Sequence, residues 1–275
     1  MLTLKELFRH SLAGAPSSFE AGELFRFVTG AGPLDDWSAP APPEMARELT
    51  RLLALRAQGY PLQYIVGGWE FYGISLKLGP GVLIPRQDTE TLVDIALEHL
   101  AESLLPAPTI LELGSGSGCI AIAVKKNFPA GMITAVELSP RAFDYLEENI
   151  AGSELEITAL KADMLEYHHP TPIDLLISNP PYIPKGELPT LQTEVNHEPL
   201  MALDGGEDGL NFFRAIARRY KPQLSVGGKL LLEIGNGQQD AVSEILASFG
   251  FEDITHHKDL NGVIRVVGAL NPGAG

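Results

Sequence analysis

Residues 110–118 read Ile110-Leu111-Glu112-Leu113-Gly114-Ser115-Gly116-Ser117-Gly118. The apolar run at the start predicts a buried strand, and the glycines that follow predict a tight turn into a helix. Glycines in such a turn let a ligand lie against the backbone. The spacing is GxGxG, which differs from the GxGxxG spacing that binds the pyrophosphate of a dinucleotide. This spacing favours a ligand without phosphates. The alternative interpretation is a strand-to-helix turn that binds no ligand.

Strand and helix patterns alternate on the C-terminal side of this turn. Such alternation predicts a mostly parallel sheet with helices on both faces. The last two strand patterns are joined by a loop too short for a helix, so we expect them to pair antiparallel. The predicted strands are 109–113, 131–137, 155–161, 173–178, 228–234, 251–257 and 262–269, and the predicted helices are 89–104, 117–128, 139–151, 208–221 and 237–249.

The N-terminal part of the chain has a different pattern. Residues 1–60 show helical periodicity that predicts three or more helices, and they contain no obvious chemistry. Residues 61–85 contain apolar residues around Gly73, which predicts a β-hairpin. We therefore expect a helical domain at 1–60, a β-hairpin linker at 61–85 and an α/β domain at 86–275. A long irregular segment, 183–207, interrupts the last of these, and loops of that length are usually functional.

Composition excludes several classes of protein. The formal net charge of −15 disfavours broad binding to nucleic acids, whose phosphates repel an acidic surface. The single cysteine, Cys119, cannot form an internal disulfide, and no Cys/His cluster has the spacing of a zinc site, so we expect no metal. Neither a signal peptide nor an apolar run of about 18 residues is present. We expect a soluble, cytoplasmic protein; the sequence leaves the oligomeric state open, and we favour a monomer.

Acidic residues follow the next two predicted strands. Glu137 ends the second strand, 23 residues after Gly114, where an acid can accept hydrogen bonds from ribose hydroxyls. Asp163 follows the third strand, where a carboxylate can accept a hydrogen bond from an adenine amino group while Met164 packs on the ring. The alternative for Glu137 is an exposed acid at the end of a strand, and the alternative for Asp163 is a side chain that caps a turn.

The most specific stretch is Ser178-Asn179-Pro180-Pro181-Tyr182, directly after the fourth predicted strand. Open α/β sheets bind ligands at the carboxyl ends of their strands. The two prolines stiffen the loop and remove donors, which leaves the Asn179 side-chain oxygen and the Pro180 carbonyl as acceptors. Two fixed acceptors can hold both N–H bonds of a planar NH₂ group, and Tyr182 can supply a flat face. Catalysis would then depend on orientation and electrostatics.

These features together resemble the Rossmann-like class I methyltransferases, which use S-adenosylmethionine. NPPY in this position is typical of enzymes that methylate amide or exocyclic amino nitrogens. From about residue 45 onward the chain is similar to the release-factor glutamine methyltransferases (PrmC/HemK). The resemblance rests on four further stretches, namely Pro61–Ile65 with Trp69–Gly73, Ile84–Glu90, Glu198–Pro199 with Ala202–Leu210, and Glu233–Gln238 with Asp259–Arg265.

The resemblance implies methylation of the side-chain amide nitrogen of the glutamine in the GGQ motif of class I peptide-chain release factors. S-adenosylmethionine would be the donor and S-adenosylhomocysteine the product. Residues 1–60 would help to dock the release factor, and 86–275 would be the methyltransferase domain. The donor would contact Gly114, Ser115, Gly116, Ser117, Gly118, Glu137, Asp163, Met164 and Asn179, and the glutamine would be held by Asn179, Pro180, Pro181 and Tyr182.

Three alternatives stay open at this point. A glutamine methyltransferase that acts on a ribosomal protein is the closest. A DNA or RNA exocyclic amino methyltransferase would use the same acceptor geometry, but it needs a basic surface that this composition does not suggest. A donor-binding module without activity is the third, and an intact NPPY argues against it. Glu137 stands where the family more often has Asp, and Gln87 replaces a usual Pro.

Overall fold

The computed structural model describes residues 2–32 and 35–273. Within the described residues, the contacts between Cα atoms divide the chain into two compact units. The first comprises Met1–Trp69, Leu78–Pro80 and Gln192–His197, and the second comprises Glu70–Lys77, Gly81–Leu191 and Glu198–Gly275. The second unit contains the strands and turns from which the sequence predicts a ligand site.

The first unit is a helical bundle. Thr3 begins the first helix with a capping box in which its side chain and that of Glu6 each accept a hydrogen bond from the other's backbone. A core that includes Leu7, Leu24, Phe25 and Leu49 joins the helices. The helices are α1 (Leu4–Gly14), α2 (Ser18–Thr29), α3 (Pro43–Ala57) and α4 (Leu62–Val66).

Residues 61–85, expected to form a hairpin linker, contain both the helix α4 and a hairpin. The expected hairpin forms over β1 (Gly68–Phe71) and β2 (Ile74–Lys77), which make a two-stranded sheet. Tyr72 and Gly73 both have positive φ, as in the tight turns that suit a twisted hairpin. The preceding residues form α4 instead of extended chain, and Gly67 ends this short helix in the left-handed conformation.

A seven-stranded sheet forms the centre of the second unit. Its spatial order is β5-β4-β3-β6-β7-β9-β8, with the first five strands parallel and β9 antiparallel to both of its neighbours. The expected antiparallel pairing of the last two strands is therefore confirmed, as is the fold class. The strands are β3 (Thr109–Leu113), β4 (Met132–Glu137), β5 (Ile157–Lys161), β6 (Ile173–Ser178), β7 (Leu224–Glu233), β8 (Glu252–Lys258) and β9 (Ile264–Leu270).

Helices cover the sheet on both faces. Alternate residues of the central strands enter two separate cores: Ile110 of β3 belongs to one, and Leu111 to the other. Parallel strands that are buried on both faces are apolar throughout, which explains the Ile110-Leu111 and Leu175-Leu176-Ile177 runs. The first core contains residues of α5 (Glu90–Glu102), α6 (Cys119–Asn127) and α7 (Pro140–Ser153), and the second contains residues of α8 (Asn211–Tyr220) and α9 (Gln239–Ser248).

The boundary that differs most from its prediction is the start of β7, expected at residue 228 and found at Leu224. Gly227 adopts φ 78°, and the pairing with β6 shifts register between Ile173 and Leu175. A glycine in this conformation makes an irregular strand without ending it. The Gly227-Gly228 pair thus lies inside the strand and does not precede it.

The long segment at 183–207 has no extended helix or strand of its own. It contains three 3₁₀ turns, at Leu188–Thr190, Val195–His197 and Leu200–Ala202. Ile183 holds its two ends together, since its N–H donates to Leu203 O and its carbonyl accepts from Gly205 N, both at 2.9 Å. Of the described helices, none is long and apolar enough to cross a membrane. No group of three or more His, Cys, Asp or Glu residues in the described ranges is placed to hold a metal.

Candidate active site

A pocket lies in the second unit at the carboxyl ends of the parallel strands, beside the position where the strand order reverses between β3 and β6. Open α/β sheets bind their ligands at this kind of position. The pocket brings together most of the residues that the sequence predicts for the site. Those in its wall are Gly114, Ser115, Gly116, Ser117, Glu137, Asp163, Met164, Asn179 and Pro181.

Three predicted residues, Gly118, Pro180 and Tyr182, do not line this pocket. Gly118 adopts φ 82° at the start of α6, and a Cβ there would lie 2.6 Å from Leu146 Cδ1. It is therefore needed for the close packing of the turn. Pro180 is buried and Tyr182 is half-buried, and both adjoin residues of the pocket wall along the chain. Any contact of these two residues with a substrate must involve space next to the pocket.

Glu137 connects the end of β4 to the glycine-rich turn. Its Oε2 accepts from the Gly116 backbone N–H at 2.8 Å, and its Oε1 accepts from that of Ser139 at 2.7 Å. Burial raises the pKa of Glu137, and the bonds from Ser139 and Gly116 act in the opposite direction. Each carboxylate oxygen can accept more than one hydrogen bond, so both retain capacity for the hydroxyls of a ligand.

Asp163 and Met164 follow β5 in a short turn. Asp163 Oδ1 accepts from the Leu165 backbone N–H at 2.8 Å, whereas Oδ2 has no hydrogen bond within the described part of the chain. The Met164 carbonyl accepts from the Tyr220 hydroxyl at 2.7 Å, which fixes the turn against α8. Phe212 adds an aromatic ring to the same pocket wall. The turn therefore offers one free carboxylate oxygen beside apolar side chains.

Asn179 occupies the end of β6 with its amide in a defined orientation. Its Nδ2 donates to Thr89 Oγ1 at 3.3 Å. Its Oδ1 has no hydrogen bond to any described residue and remains available as an acceptor. The Tyr182 carbonyl of the same loop accepts from Gln238 Nε2 at 2.9 Å, and Gln238 Oε1 accepts from Gly235 N at 2.9 Å. The loop is thus held by residues outside it.

Loops 82–89 and 198–202 form another part of the pocket wall. The Glu198 side chain is 1% exposed and accepts from the Ile84 backbone N–H at 2.9 Å. Glu198 also pairs with the Arg86 guanidinium. Pro199 and Met201, next to this glutamate, line the pocket together with Leu83 and Pro85. The pair therefore joins two segments of the pocket wall that are distant in sequence.

Comparison with known proteins identifies relatives of the chain. The family model described as "Methyltransferase small domain" matches residues 88–198. The release factor glutamine methyltransferase of Geobacter sulfurreducens is 40% identical over 234 residues, which cover 85% of this chain and 81% of that protein. The protein of the same name from Thermodesulfovibrio yellowstonii is 41% identical over 226 residues, which cover 82% of this chain and 81% of that protein.

The chain belongs to the release factor glutamine methyltransferase family. The family resemblance expected from the sequence is confirmed. Among solved structures, a methyltransferase from Pyrococcus furiosus superposes with a TM-score of 0.55 at 18% identity, over 82% of this chain and 98% of that one. At that identity the similarity concerns the fold alone, and it agrees with the architecture described above.

Two buried acids of this methyltransferase were not predicted to belong to the site. Glu112 of β3 is 1% exposed and lines the pocket, and its Oε2 accepts from the Ala121 backbone N–H at 3.1 Å. Burial raises the pKa of Glu112 to about 8. Glu233 at the end of β7 is also 1% exposed, and burial raises its pKa to about 7. In each case the sequence signal is an acid inside an apolar strand, since buried acids are rare without a reason.

Tyr182 is a neutral phenol over the physiological pH range. Burial, followed by the negative charge of Glu233, raises its pKa to about 12. Its ring lies against Gly235, where a Cβ would be 3.1 Å from Tyr182 Cδ2. A neutral aromatic ring held in this way can offer a planar group a flat surface.

Proposed function

We propose that this methyltransferase transfers a methyl group from S-adenosylmethionine to the side-chain amide nitrogen (N5) of a glutamine, the one in the GGQ motif of class I peptide-chain release factors. The observation that carries the proposal is the Asn179 amide, whose donor end is bound to Thr89 while its acceptor end is free at the pocket. The names of the relatives at 40% and 41% identity support the choice of substrate.

The pocket residues suit this methyl donor. S-adenosylmethionine supplies an electrophilic methyl group on a sulfonium sulfur and has no phosphate. Among the lining residues the only Lys or Arg is Arg86, which is already paired with Glu198, whereas Glu112, Glu137 and Asp163 are acidic. We assign the ribose hydroxyls to Glu137 and the adenine amino group to Asp163. The backbone of Gly114, Ser115, Gly116 and Ser117, with Met164 and Asn179, would hold the rest of the donor, and Gly118 would allow the close packing that shapes this turn.

The NPPY residues would orient the glutamine. Asn179 Oδ1 and the Pro180 carbonyl would each accept one N–H of the substrate amide, and thereby direct the nitrogen lone pair at the methyl group. A neutral amide is a poor nucleophile, so alignment at contact distance must provide much of the rate. Positive charge develops on the nitrogen during transfer, and the two acceptors stabilise it. Tyr182 would pack against the planar amide, and Pro181 would keep the loop rigid.

The two units would divide the work. We assign docking of the release factor to residues 1–60, connection to the hairpin linker at 61–85 and methyl transfer to 86–275. The first unit has its own hydrophobic core, which supports a separate docking role for its helices. Because release factors act on ribosomes, we place the reaction in the cytoplasm.

Competition between substrate classes tests the proposal. The purified protein is incubated with S-adenosylmethionine labelled at the methyl group and with equal amounts of an unmethylated class I release factor, ribosomal proteins and a DNA–RNA mixture. We expect label in the release factor, and its loss when the GGQ glutamine is replaced by alanine. Label mainly in a ribosomal protein or a nucleic acid would contradict the proposal.

A further inference from the structure

Two buried polar residues, Thr89 and Glu233, lie near the half-buried Asn179. Thr89 accepts a hydrogen bond from Asn179, and β6 pairs with β7 so that Ser178 lies opposite Leu232, one residue before Asn179 and Glu233 respectively. Thr89 ends the 3₁₀ turn Gln87–Thr89 before α5, Asn179 follows β6, and Glu233 ends β7. Thr89 is only 2% exposed. Glu233 does not line the pocket, and it forms no salt bridge with any described residue. A buried carboxyl group without a paired cation is costly, so its position requires a physical reason.

The three side chains have the donors and acceptors of one directed hydrogen-bond chain. Thr89 Oγ1 accepts from Asn179 Nδ2 and still has its own O–H to donate. The side chains of Thr89 and Asn179 both act on the Glu233 carboxyl group and lower its pKa against the larger effect of burial. Glu233 Oε2 itself has no partner within hydrogen-bond distance in the described part of the chain. The buried carboxyl group therefore has a free acceptor, and Thr89 has a hydroxyl proton to donate.

The orientation of Asn179 matters because its amide has two ends of nearly equal size. One end is an acceptor oxygen and the other is a donor NH₂ group. Rotation of the amide by a half turn would direct N–H bonds at the N–H bonds of the substrate. Such an arrangement loses one of the two acceptors that hold the glutamine and leaves a polar group unsatisfied.

We propose that Glu233 is a positioning residue that acts through Thr89 to keep Asn179 Nδ2 turned toward the protein and Oδ1 toward the substrate amide. The inference rests on the proposed function, since it concerns the site at which the glutamine binds. In the proposed arrangement the carboxylate accepts from the Thr89 hydroxyl, and the hydroxyl accepts from Asn179, the latter bond being present in the structure at 3.3 Å. Each bond in such a chain polarises the next, which makes Asn179 Oδ1 a stronger acceptor.

The charge on Glu233 determines the direction of the chain. An ionised carboxylate can only accept, whereas a protonated one can donate to Thr89 and so remove the acceptor that fixes the hydroxyl. The charged and titratable groups around Glu233 are Arg265, which lowers its pKa, and Asp88, which raises it, together with the neutral phenol of Tyr182 and the buried thiol of Cys119, whose pKa values Glu233 helps to raise. Arg265 is itself held by Asp88 at 2.7 Å. Turnover should therefore increase as pH rises through the pKa of Glu233, at about 7.

Variants of Glu233 and Thr89 test the inference in the purified full chain. We expect Glu233→Met to lower kcat about tenfold or more, because it removes the terminal acceptor, while KM for both substrates changes less than about twofold. Glu233→Gln keeps an acceptor but cannot ionise, so its kcat should lose the rise near pH 7. Thr89→Val should match Glu233→Met, and Thr89→Ser should match wild type. The double variant Glu233→Met/Thr89→Val should be no slower than the slower single variant.

The exposed Glu244→Gln on α9 is the matched control and should behave as wild type in both kcat and pH profile. Thermal unfolding separates positioning from folding, because an apolar side chain at a buried, unpaired acid should not lower the melting temperature. A wild-type kcat for Glu233→Met would overturn the inference. So would an unchanged rise near pH 7 in Glu233→Gln.

A substrate-free measurement separates this inference from the proposed function. The side-chain NH₂ resonances of Asn179, assigned by their loss in Asn179→Asp, should shift with a midpoint near pH 7 in the wild type and stay constant in Glu233→Gln. This outcome supports the inference even if the release factor is not methylated. Asn179 resonances that respond to pH in the same way in both proteins would overturn it, whatever the substrate is.

Discussion

At the scale of single residues, Glu112 is a buried acid whose raised pKa makes the stability of the folded chain depend on pH. Burial raises its pKa to about 8. The folded state therefore binds this proton more tightly than the unfolded state, whose pKa is near the ordinary value for glutamate. The resulting stabilisation is complete below about pH 4.5 and is lost as pH rises through about 8.

Glu112→Gln should remove this dependence. The amide keeps an oxygen to accept from Ala121 and never ionises. We expect equal free energies of unfolding for the two proteins near pH 4.5, and a variant that is increasingly more stable than wild type between about pH 5 and pH 9. Urea unfolding across that range measures the difference. Parallel curves would mean that Glu112 does not carry a raised pKa.

Glu137 provides the second test at this scale. The carboxylate of Glu137 accepts hydrogen bonds from Gly116 and Ser139 and, as we propose, from the donor. In Glu137→Gln the single amide oxygen can accept only some of these bonds. Hydrogen bonds to a charged group contribute about 1.5–3 kcal/mol, so Kd for S-adenosylmethionine should rise roughly tenfold to hundredfold. Calorimetry measures this rise, and Glu137→Asp should lie between the variant and wild type. An unchanged Kd for Glu137→Gln would remove this residue from the donor site.

Whether a residue of the candidate site could be predicted depends on how far its partners lie from it in the sequence. Gly114, Glu137 and Asn179 could be predicted because each follows a recognisable strand, and strand ends in a parallel sheet meet at one edge. Thr89 and Glu233 could not be assigned a role, because Thr89, which accepts from Asn179, lies 90 residues before it, and Glu233, which we propose to act on it through Thr89, lies 54 residues after it. Such contacts exist only in the folded chain.

At the scale of elements, the Glu198 side chain connects the loop before α5 to the end of the long segment 183–207. Removing it leaves the Ile84 N–H without its acceptor and Arg86 without its partner. We expect Glu198→Ala to lower the free energy of unfolding by about 1–3 kcal/mol and to raise KM for the donor, because both loops line the pocket proposed to hold it. Glu187→Ala, at an exposed glutamate of the same segment, is the control.

Urea unfolding and steady-state kinetics measure these two effects. Unchanged stability together with unchanged KM would show that the two loops do not depend on Glu198. A large loss of stability without a change in KM would instead show that Glu198 stabilises the fold but has no effect on donor binding.

Element boundaries show where local sequence gives an incomplete prediction. The β3 prediction is correct at both ends, because the strand begins directly after Pro108 and ends at Leu113, directly before Gly114. Residues 62–66 are helical where a hairpin was expected, since five residues provide too little periodicity to separate helix from strand. The sequence did not predict the early start of β7, because the pair Gly227-Gly228 is typical of a turn. In the structure these two glycines lie within an irregular strand.

At the scale of the whole molecule, the fold class could be predicted because the period of the apolar pattern changes between strands and helices along the second unit. The sequence could not predict that residues 192–197 belong to the first unit. In that unit, Arg56 of α3 pairs with both Glu20 and Glu194, and Tyr60 contacts the His197 ring. Arg56 and Glu194 are 138 residues apart, and no local pattern indicates such a pair.

The central claim is that a glutamine amide nitrogen receives the methyl group at the NPPY loop. The most direct measurement is tandem mass spectrometry of the GGQ peptide after the purified protein, S-adenosylmethionine and an unmethylated class I release factor are incubated together. We predict one added methyl on the glutamine side chain for wild type and a rate lower by about 100-fold or more for folded, donor-binding Asn179→Ala. A methyl group on another residue, an unmodified peptide or near-wild-type methylation by Asn179→Ala would contradict it.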